Sequence, residues 1–376
     1  MTARSTEVSV EATETLTERG ARGESSAPAS LPGDAGVAGR VESRVGADAW
    51  RGLGGGKRVV QLTAPDNGMT ITYSVHDLAH CLGLAGFRKI KMGKRGVTRK
   101  AARVMHAVGL LRNMMRLPGY ALFVQTHAMS VGQLFPACHF FEVIPYAWDC
   151  WPNRYGLWET FLKRLRVKLA FISARDSVEE MQRRLPGVKF VWLPEAVEPG
   201  KCLPDKPLAE RGIDVVAMGR RHADHHAAVI QALTGAGRSY RYEKVRWREG
   251  VFPPGREDYA KGLGDTKVMI SFPASVTHPE WAGKVATATL RYFECMASRV
   301  LLLGQAPQEL VDLLGYNPVV EADMRDPAGQ LLDILSHIET YQPLVDKNYR
   351  RVLEVGTWEY RVKKVCGVLK ECGYTY

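Results

Sequence analysis

The stretch Thr289-Leu290-Arg291-Tyr292-Phe293-Glu294-Cys295-Met296-Ala297, followed by the apolar run Val300-Leu301-Leu302-Leu303, decides the fold class. Leu290, Phe293 and Ala297 fall on one face at helical spacing, and Val300 to Leu303 reads as a buried parallel strand. A short helix carrying one carboxylate, followed by such a strand, belongs to an open α/β sheet. In these sheets the layout sets Glu294 beside the crevice where nucleotides bind. A carboxylate there can accept both hydroxyls of a ribose. Arg291, three residues earlier, is close enough to pair with it.

Strand-like runs continue on both sides of this segment. Ile213-Asp214-Val215-Val216-Ala217-Met218-Gly219 is a strand ending in glycine, and His225 to Thr234 a helix closed by Gly235 and Gly237. Ser239 to Lys244, Val268 to Phe272 and Val319-Val320 read as strands, with helices over Gln308 to Leu314, Gly329 to Thr340 and most of Leu344 to Leu369. Upstream, strands are expected over Arg58 to Thr63, Tyr120 to Gln125, Phe140 to Tyr146, Lys168 to Ser173 and Val188 to Leu193. Helices are expected between them over Thr70 to Leu84, Val97 to Arg116, Trp158 to Leu165 and Ser177 to Leu185. Strands alternating with helices at this spacing give parallel sheets with helices on both faces.

The chain has 376 residues, enough for two domains of ordinary size. Pro194, Pro199, Gly200, Pro204 and Pro207 crowd the segment Pro194 to Arg211 and mark the boundary between them. Residues 1–56 are poor in aromatics and rich in Glu, Thr, Ser, Ala and Gly, the composition of a disordered tail, with Gly54 to Gly56 as a flexible lead-in. The expected organisation is therefore a tail over 1–56, a first Rossmann-like domain over 57–198 and a second over 199–376.

No run of about 18 apolar residues is present, and the acidic N-terminus lacks the pattern of a signal peptide, so a cytoplasmic protein is expected. The 7 cysteines are scattered without a C-x-x-C pair, which supports neither a zinc ribbon nor a disulfide framework. The net charge of +11 points to an anionic partner. Arg88 to Arg116 is basic and carries an apolar stripe at Val97, Ala101, Val104, Val108, Leu111 and Met115. Such a helix can lie on an anionic membrane surface or turn its apolar face to the core. Nucleic acid is not favoured, because no base-stacking motif accompanies the charge.

At Met218-Gly219-Arg220-Arg221 a strand ends in a glycine turn before a helix, where free backbone N–H groups favour an anion and two arginines suit a pyrophosphate. Asn67-Gly68, in the loop after the first strand, can face the same cleft. His127 and Asp149 follow strands of the first domain and are candidates to orient or deprotonate an acceptor hydroxyl, the alternative being loop-capping roles. His76 and His80 share a helical face at zinc-binding spacing, but no third ligand accompanies them and no metal is expected.

Arg291-x-Phe293-Glu294-x-x-Ala297 with Val300 to Leu303, Gly219-Arg220, Gln308-Glu309-Leu310 and Thr357-Trp358-Glu359-Tyr360-Arg361 together resemble the donor-binding half of GT-B glycosyltransferases. The group most similar is that related to spore-coat maturation glycosyltransferases, within the larger retaining family. The resemblance covers about Asp214 to Leu369. It implies two Rossmann-like domains facing a cleft, and transfer of a sugar from a nucleoside diphosphate sugar to an acceptor hydroxyl, with retention and without a further cofactor. It assigns the ribose to Glu294 and the diphosphate to Gly219 and Arg220. Two positions depart from the family's pattern. Thr287 and Ala286 stand where relatives often carry a second glutamate, and Arg299 stands where a glycine is usual. A non-catalytic nucleotide-sugar-binding protein, or a basic peripheral membrane or nucleic-acid adaptor, are the alternative expectations. A dinucleotide oxidoreductase would need a G-x-G-x-x-G after the first strand, which the chain lacks.

Overall fold

The computed structural model describes residues 50, 52–63, 70–91, 104, 117, 119–126, 134, 137–243, 251–253 and 255–376. Two parallel sheets organise them. The first runs in the order β2-β1-β3-β4-β5-β6, and the second in the order β11-β10-β9-β7-β8.

The first sheet comprises β1 (Arg58–Thr63), β2 (Lys89–Lys91), β3 (Tyr120–Thr126), β4 (Glu142–Ala147), β5 (Leu169–Ile172) and β6 (Lys189–Trp192). Its helices include α1 (Thr70–Leu84), α2 (Tyr155–Leu165) and α3 (Arg175–Arg184). Side chains alternate across the strands. Val60, Leu62, Leu122 and Val124 enter one core, while Val59, Ala121, Phe123 and Ile144 enter the other. A sheet buried on both faces needs apolar residues at nearly every position, which is why these strands are continuous apolar runs.

The second sheet comprises β7 (Ile213–Ala217), β8 (Tyr240–Tyr242), β9 (Thr266–Ser271), β10 (Leu301–Gly304) and β11 (Val320–Glu321). Its helices are α4 (Ala223–Gly235), α5 (Arg256–Gly264), α6 (Leu290–Ala297), α7 (Gln308–Leu314), α8 (Pro327–Ser336) and α9 (Gln342–Val355). Here too the alternation holds. Val216, Met269 and Leu302 face one core, and Val215, Val268 and Leu301 face the other. Strand β7 pairs with β8 on one side and β9 on the other, with Val215 opposite Tyr240 and Val268. The order of the strands therefore reverses at β7, and the loops leaving that point open a crevice at the carboxyl edge of the sheet.

The final helix, α10 (Trp358–Glu371), corrects the expected domain limits. Trp358, Val362, Val365 and Leu369, which lie within the expected second domain of 199–376, pack with Leu78 and Leu82 of α1 in a core of the first sheet. Arg58 and Thr375 then form a parallel bridge. The apolar face of α10 is legible as a helical stripe, but the stripe does not say which sheet receives it.

The tail expected over 1–56 needs a second correction at its end. The Gly54 N–H donates to the Cys372 carbonyl at 2.7 Å and the Gly56 N–H to the Gly373 carbonyl at 2.8 Å, so these glycines are an ordered turn. The rest of that tail, apart from residue 50 and residues 52 and 53, lies outside the described residues, as do Asn67, Gly68 and His127. The basic segment 88–116 is described only at 88–91 and 104. Lys89–Lys91 forms the edge strand β2, paired with β1, which periodicity did not announce. No described helix is long and apolar enough to cross a membrane.

Candidate functional site

Strand β7 delivers the chain to Met218 and Gly219 at the switch point. Gly219 has φ +72°, and a Cβ there would stand 2.9 Å from Nη2 of Arg291. Only glycine lets the turn bend this way and lets the guanidinium come so close. Arg291 projects from the first turn of α6, so two elements that are 72 residues apart (291 − 219) meet at one point.

Arg220 reaches toward the first lobe. Its guanidinium lies 5.2 Å from the ring centroid of Trp151, in the loop after β4. Burial, and then the neighbouring charge of Arg291, lower its affinity for the proton, while Asp149 and Glu195 act in the opposite sense. Gly219, Arg220 and Arg291 thus form a cationic turn. Two guanidinium groups held near one another invite an anion, because each raises the cost of leaving the other unpaired. Arg221 parts from the group. It lies over the ring of Tyr242 on edge strand β8, at 5.1 Å.

Glu294 sits one turn beyond Arg291 on α6 and is half-buried. Its Oε2 accepts the Tyr259 hydroxyl of α5 at 2.7 Å. Burial raises its pKa, opposed by the Tyr259 hydrogen bond and by the charges of Arg291 and Arg256. The carboxylate lines a small cavity of about 30 Å³, with Tyr73 and Asp77 from α1, Lys201 from the connecting segment, and Arg256 and Tyr259 from α5. Asp77, buried, pairs with Lys201 at 2.6 Å and with Arg256, so the first lobe closes the pocket with a fixed ionic contact.

Asp149 lies in the loop after β4 with φ +52°, a left-handed conformation that aspartate tolerates better than most residues. Its charge is near enough to favour the protonated form of Arg220. Of the residues singled out from the sequence, the fold therefore gathers Gly219, Arg220 and Arg291, brings Asp149 within range of the Arg220 charge and puts Glu294 one turn from Arg291.

Further residues were not anticipated. Tyr259, Asp77 and Arg256 carry no local signal, because they meet only through packing of α1 against α5. Glu195 is different. It is an acid set between Leu193-Pro194 and Ala196-Val197 directly after a strand, and an acid in an apolar run is a readable sign. It is buried, and its Oε2 accepts the Leu290 N–H at the start of α6 at 2.5 Å.

The two lobes touch elsewhere too. Glu309 accepts the Arg175 N–H of α3 at 2.7 Å through one oxygen and the Ala288 N–H at 2.6 Å through the other. Ala274, Ala282 and Val285, from the segment between β9 and α6 that holds the short helices Ala274–Thr277 and Pro279–Ala282, complete a core of the first lobe. The site is consequently enclosed by contacts at both ends of the cleft. Thr287, where the resembling family often carries an acid, is buried, and its hydroxyl has no hydrogen-bond partner among the described residues.

No protein-family model and no curated sequence matches the chain. Among solved structures, its fold is similar to that of sucrose-phosphate synthase from Thermosynechococcus elongatus. There the TM-score is 0.52 at 12% identity, over 84% of this chain and 99% of that one. AviGT4, a glycosyltransferase involved in avilamycin A biosynthesis, matches with a TM-score of 0.51 at 11% identity, covering 84% and 97%. HepE of Anabaena in complex with UDP matches with a TM-score of 0.51 at 8% identity, covering 83% and 99%. These likenesses establish the two-domain GT-B fold.

Proposed function

We propose that the protein is a glycosyltransferase that takes a sugar from a nucleoside diphosphate sugar and passes it to an acceptor hydroxyl. The observation that carries this reading is the convergence of Gly219, Arg220 and Arg291 at the switch point of the second sheet, one helical turn from the half-buried Glu294. The diphosphate would lie on the two arginines and the backbone N–H groups of the glycine turn. The ribose hydroxyls would donate to Glu294, which lines the small cavity bordered by Tyr259 and Arg256. HepE, whose solved form holds UDP, has the same fold, which supports a nucleotide in this crevice.

The sugar would then point toward the first lobe, where the charge of Asp149 acts on Arg220. Asp149 is the candidate to orient an acceptor hydroxyl. Departure of the nucleotide would be assisted by fixed positive charge, which acts without reorganisation at the moment of bond cleavage. Lobe contacts through Glu309 and Asp77 would hold the cleft closed and limit attack by water. Retention of configuration, and kinship with the spore-coat maturation group, rest on the motif resemblance alone.

The test is a screen of UDP-, GDP- and ADP-sugars for release of the nucleoside diphosphate, with and without simple glycoside acceptors. One donor class is expected to turn over, and Glu294→Ala to abolish the turnover at the same donor concentration. Binding without release for every donor would favour a non-catalytic nucleotide-sugar-binding protein. No binding at all would remove the reading. The anomeric configuration of the first product, read by NMR, decides retention.

A further inference from the structure

The segment joining the lobes carries a carboxyl that the scheme above does not use. Glu195 caps α6 from outside, through Oε2 to the Leu290 N–H at 2.5 Å, and Thr289 supplies no side-chain cap of its own. Its backbone is pinned by Arg361 of α10, which donates to the carbonyls of Pro194 at 3.0 Å and Glu195 at 3.5 Å. The carboxyl therefore has a fixed place at the N-terminus of the helix that carries Arg291 and Glu294.

Its charged surroundings come from four elements. Asp149, after β4, and Glu294, on α6, oppose its ionisation. Arg220, after β7, and the Leu290 N–H favour it. Tyr146 of β4 lies within its field, and Arg361 of α10 is bonded to the backbone beside it. Burial outweighs the favourable contacts and pushes the carboxyl up to about 8. A diphosphate arriving on Arg220 and Arg291 would disturb this balance in one direction. It would add negative charge near a carboxyl whose ionisation Asp149 and Glu294 already oppose, and it would engage Arg220, the cation that favours that ionisation.

Resting on the donor-site reading above, we propose that Glu195 is a positioning residue of that site which takes up a proton from solvent as a nucleoside diphosphate settles on Arg220 and Arg291, and returns it when the nucleotide leaves. The neutral carboxyl still accepts from Leu290, so α6 keeps its cap in both states. What changes is the charge beneath the diphosphate, which is reduced while the anion is bound and restored when it must go.

The experiment is calorimetric titration of UDP into the full chain at pH 8, in two buffers of different ionisation enthalpy. A terminal phosphate loses its second proton near pH ~6, so the ligand is already fully ionised there. The wild type is expected to take up as much as about half a proton per site. Glu195→Gln, which keeps an acceptor oxygen for Leu290, is expected to bind UDP with no uptake and with an affinity that stays flat between pH 7 and 9. Asp149→Asn removes an acid that opposes the ionisation of Glu195, so its uptake is expected at lower pH than in the wild type. Equal uptake in the wild type and Glu195→Gln overturns the proposal, as does binding by the wild type with no uptake. If UDP, GDP and ADP all fail to bind, the donor-site reading itself is lost, a result distinct from binding without proton exchange.

Discussion

Replacing Glu294 by glutamine removes a charge and little else. The amide has the volume of the carboxyl and keeps an oxygen for the Tyr259 hydroxyl, now held at 2.7 Å. Folding stability should therefore change little. Ligand affinity should change more, because a hydrogen bond from a ribose hydroxyl to a charged, half-buried acceptor contributes about 1.5–3 kcal/mol. Tyr259 already occupies Oε2, which leaves Glu294 with limited capacity, so a value near the middle of that range is expected. A loss of about 2 kcal/mol corresponds to a Kd raised ~30-fold. Calorimetry with the nucleoside diphosphate that binds best gives the number directly. A cycle with the 2′,3′-dideoxy nucleotide sharpens it. The dideoxy ligand should bind the wild type about as weakly as the natural ligand binds Glu294→Gln, and the two losses should not add. Full additivity, or a Kd within twofold of wild type in a folded variant, would take the ribose away from Glu294.

Gly219→Ala should weaken nucleotide binding by at least ~10-fold. The methyl would stand 2.9 Å from Arg291 at a φ of +72°, costing about 1–2 kcal/mol of backbone strain and displacing the guanidinium; a Kd titration checks it, and an unchanged value would mean Arg291 does not serve the anion. Arg361→Met should lower the unfolding free energy by at least ~3 kcal/mol, since the carbonyls of Pro194, Glu195 and Val355 lose their donor in a buried position; denaturant melts measure it. Glu309 gives a pH prediction. Burial pushes its carboxyl up to about 7, above the usual value near ~4.3. The folded chain then binds more protons than the unfolded chain between those limits. Its contribution is full below about pH 4.3 and is lost as pH rises through 7. Glu309→Gln should flatten that part of a profile of Tm against pH, and a slope equal to wild type would mean the carboxyl is ionised when folded.

The fold was legible because parallel strands buried on both faces must be apolar throughout. Val300 to Leu303 and Ile213 to Ala217 announce themselves without any partner in view. Strand β2 did not, because Lys89-Ile90-Lys91 is a short edge strand with one apolar residue, and its pairing depends on β1 being present. The return of α10 to the first lobe was illegible for a related reason. Trp358, Val362, Val365 and Leu369 define an apolar stripe, while the surface that receives it is set by α1, more than 270 residues earlier (358 − 84 = 274).

The site divides in the same way. Gly219, Arg220, Arg291 and Glu294 stand next to recognisable strand ends and helix starts, so local pattern finds them. Arg220 and Arg221 cannot be told apart locally, and only the turn geometry sends one toward Trp151 and the other to Tyr242. Tyr259, Asp77 and Arg256 assemble from α1 and α5, so no sequence spacing predicts their meeting. Glu195 stands among the prolines of the segment Pro194 to Arg211, whose composition marks a domain boundary and gives no sign of a contact with the start of α6.

The central claim is that the cationic turn and Glu294 hold the two ends of one nucleoside diphosphate. A crystal structure of the protein soaked with the nucleotide that binds best tests this most directly. The account predicts the diphosphate between Arg220 and Arg291, above Gly219, with both ribose hydroxyls within about 3 Å of the Glu294 carboxylate. A nucleotide bound elsewhere, or one whose ribose turns away from α6 toward solvent, would contradict it.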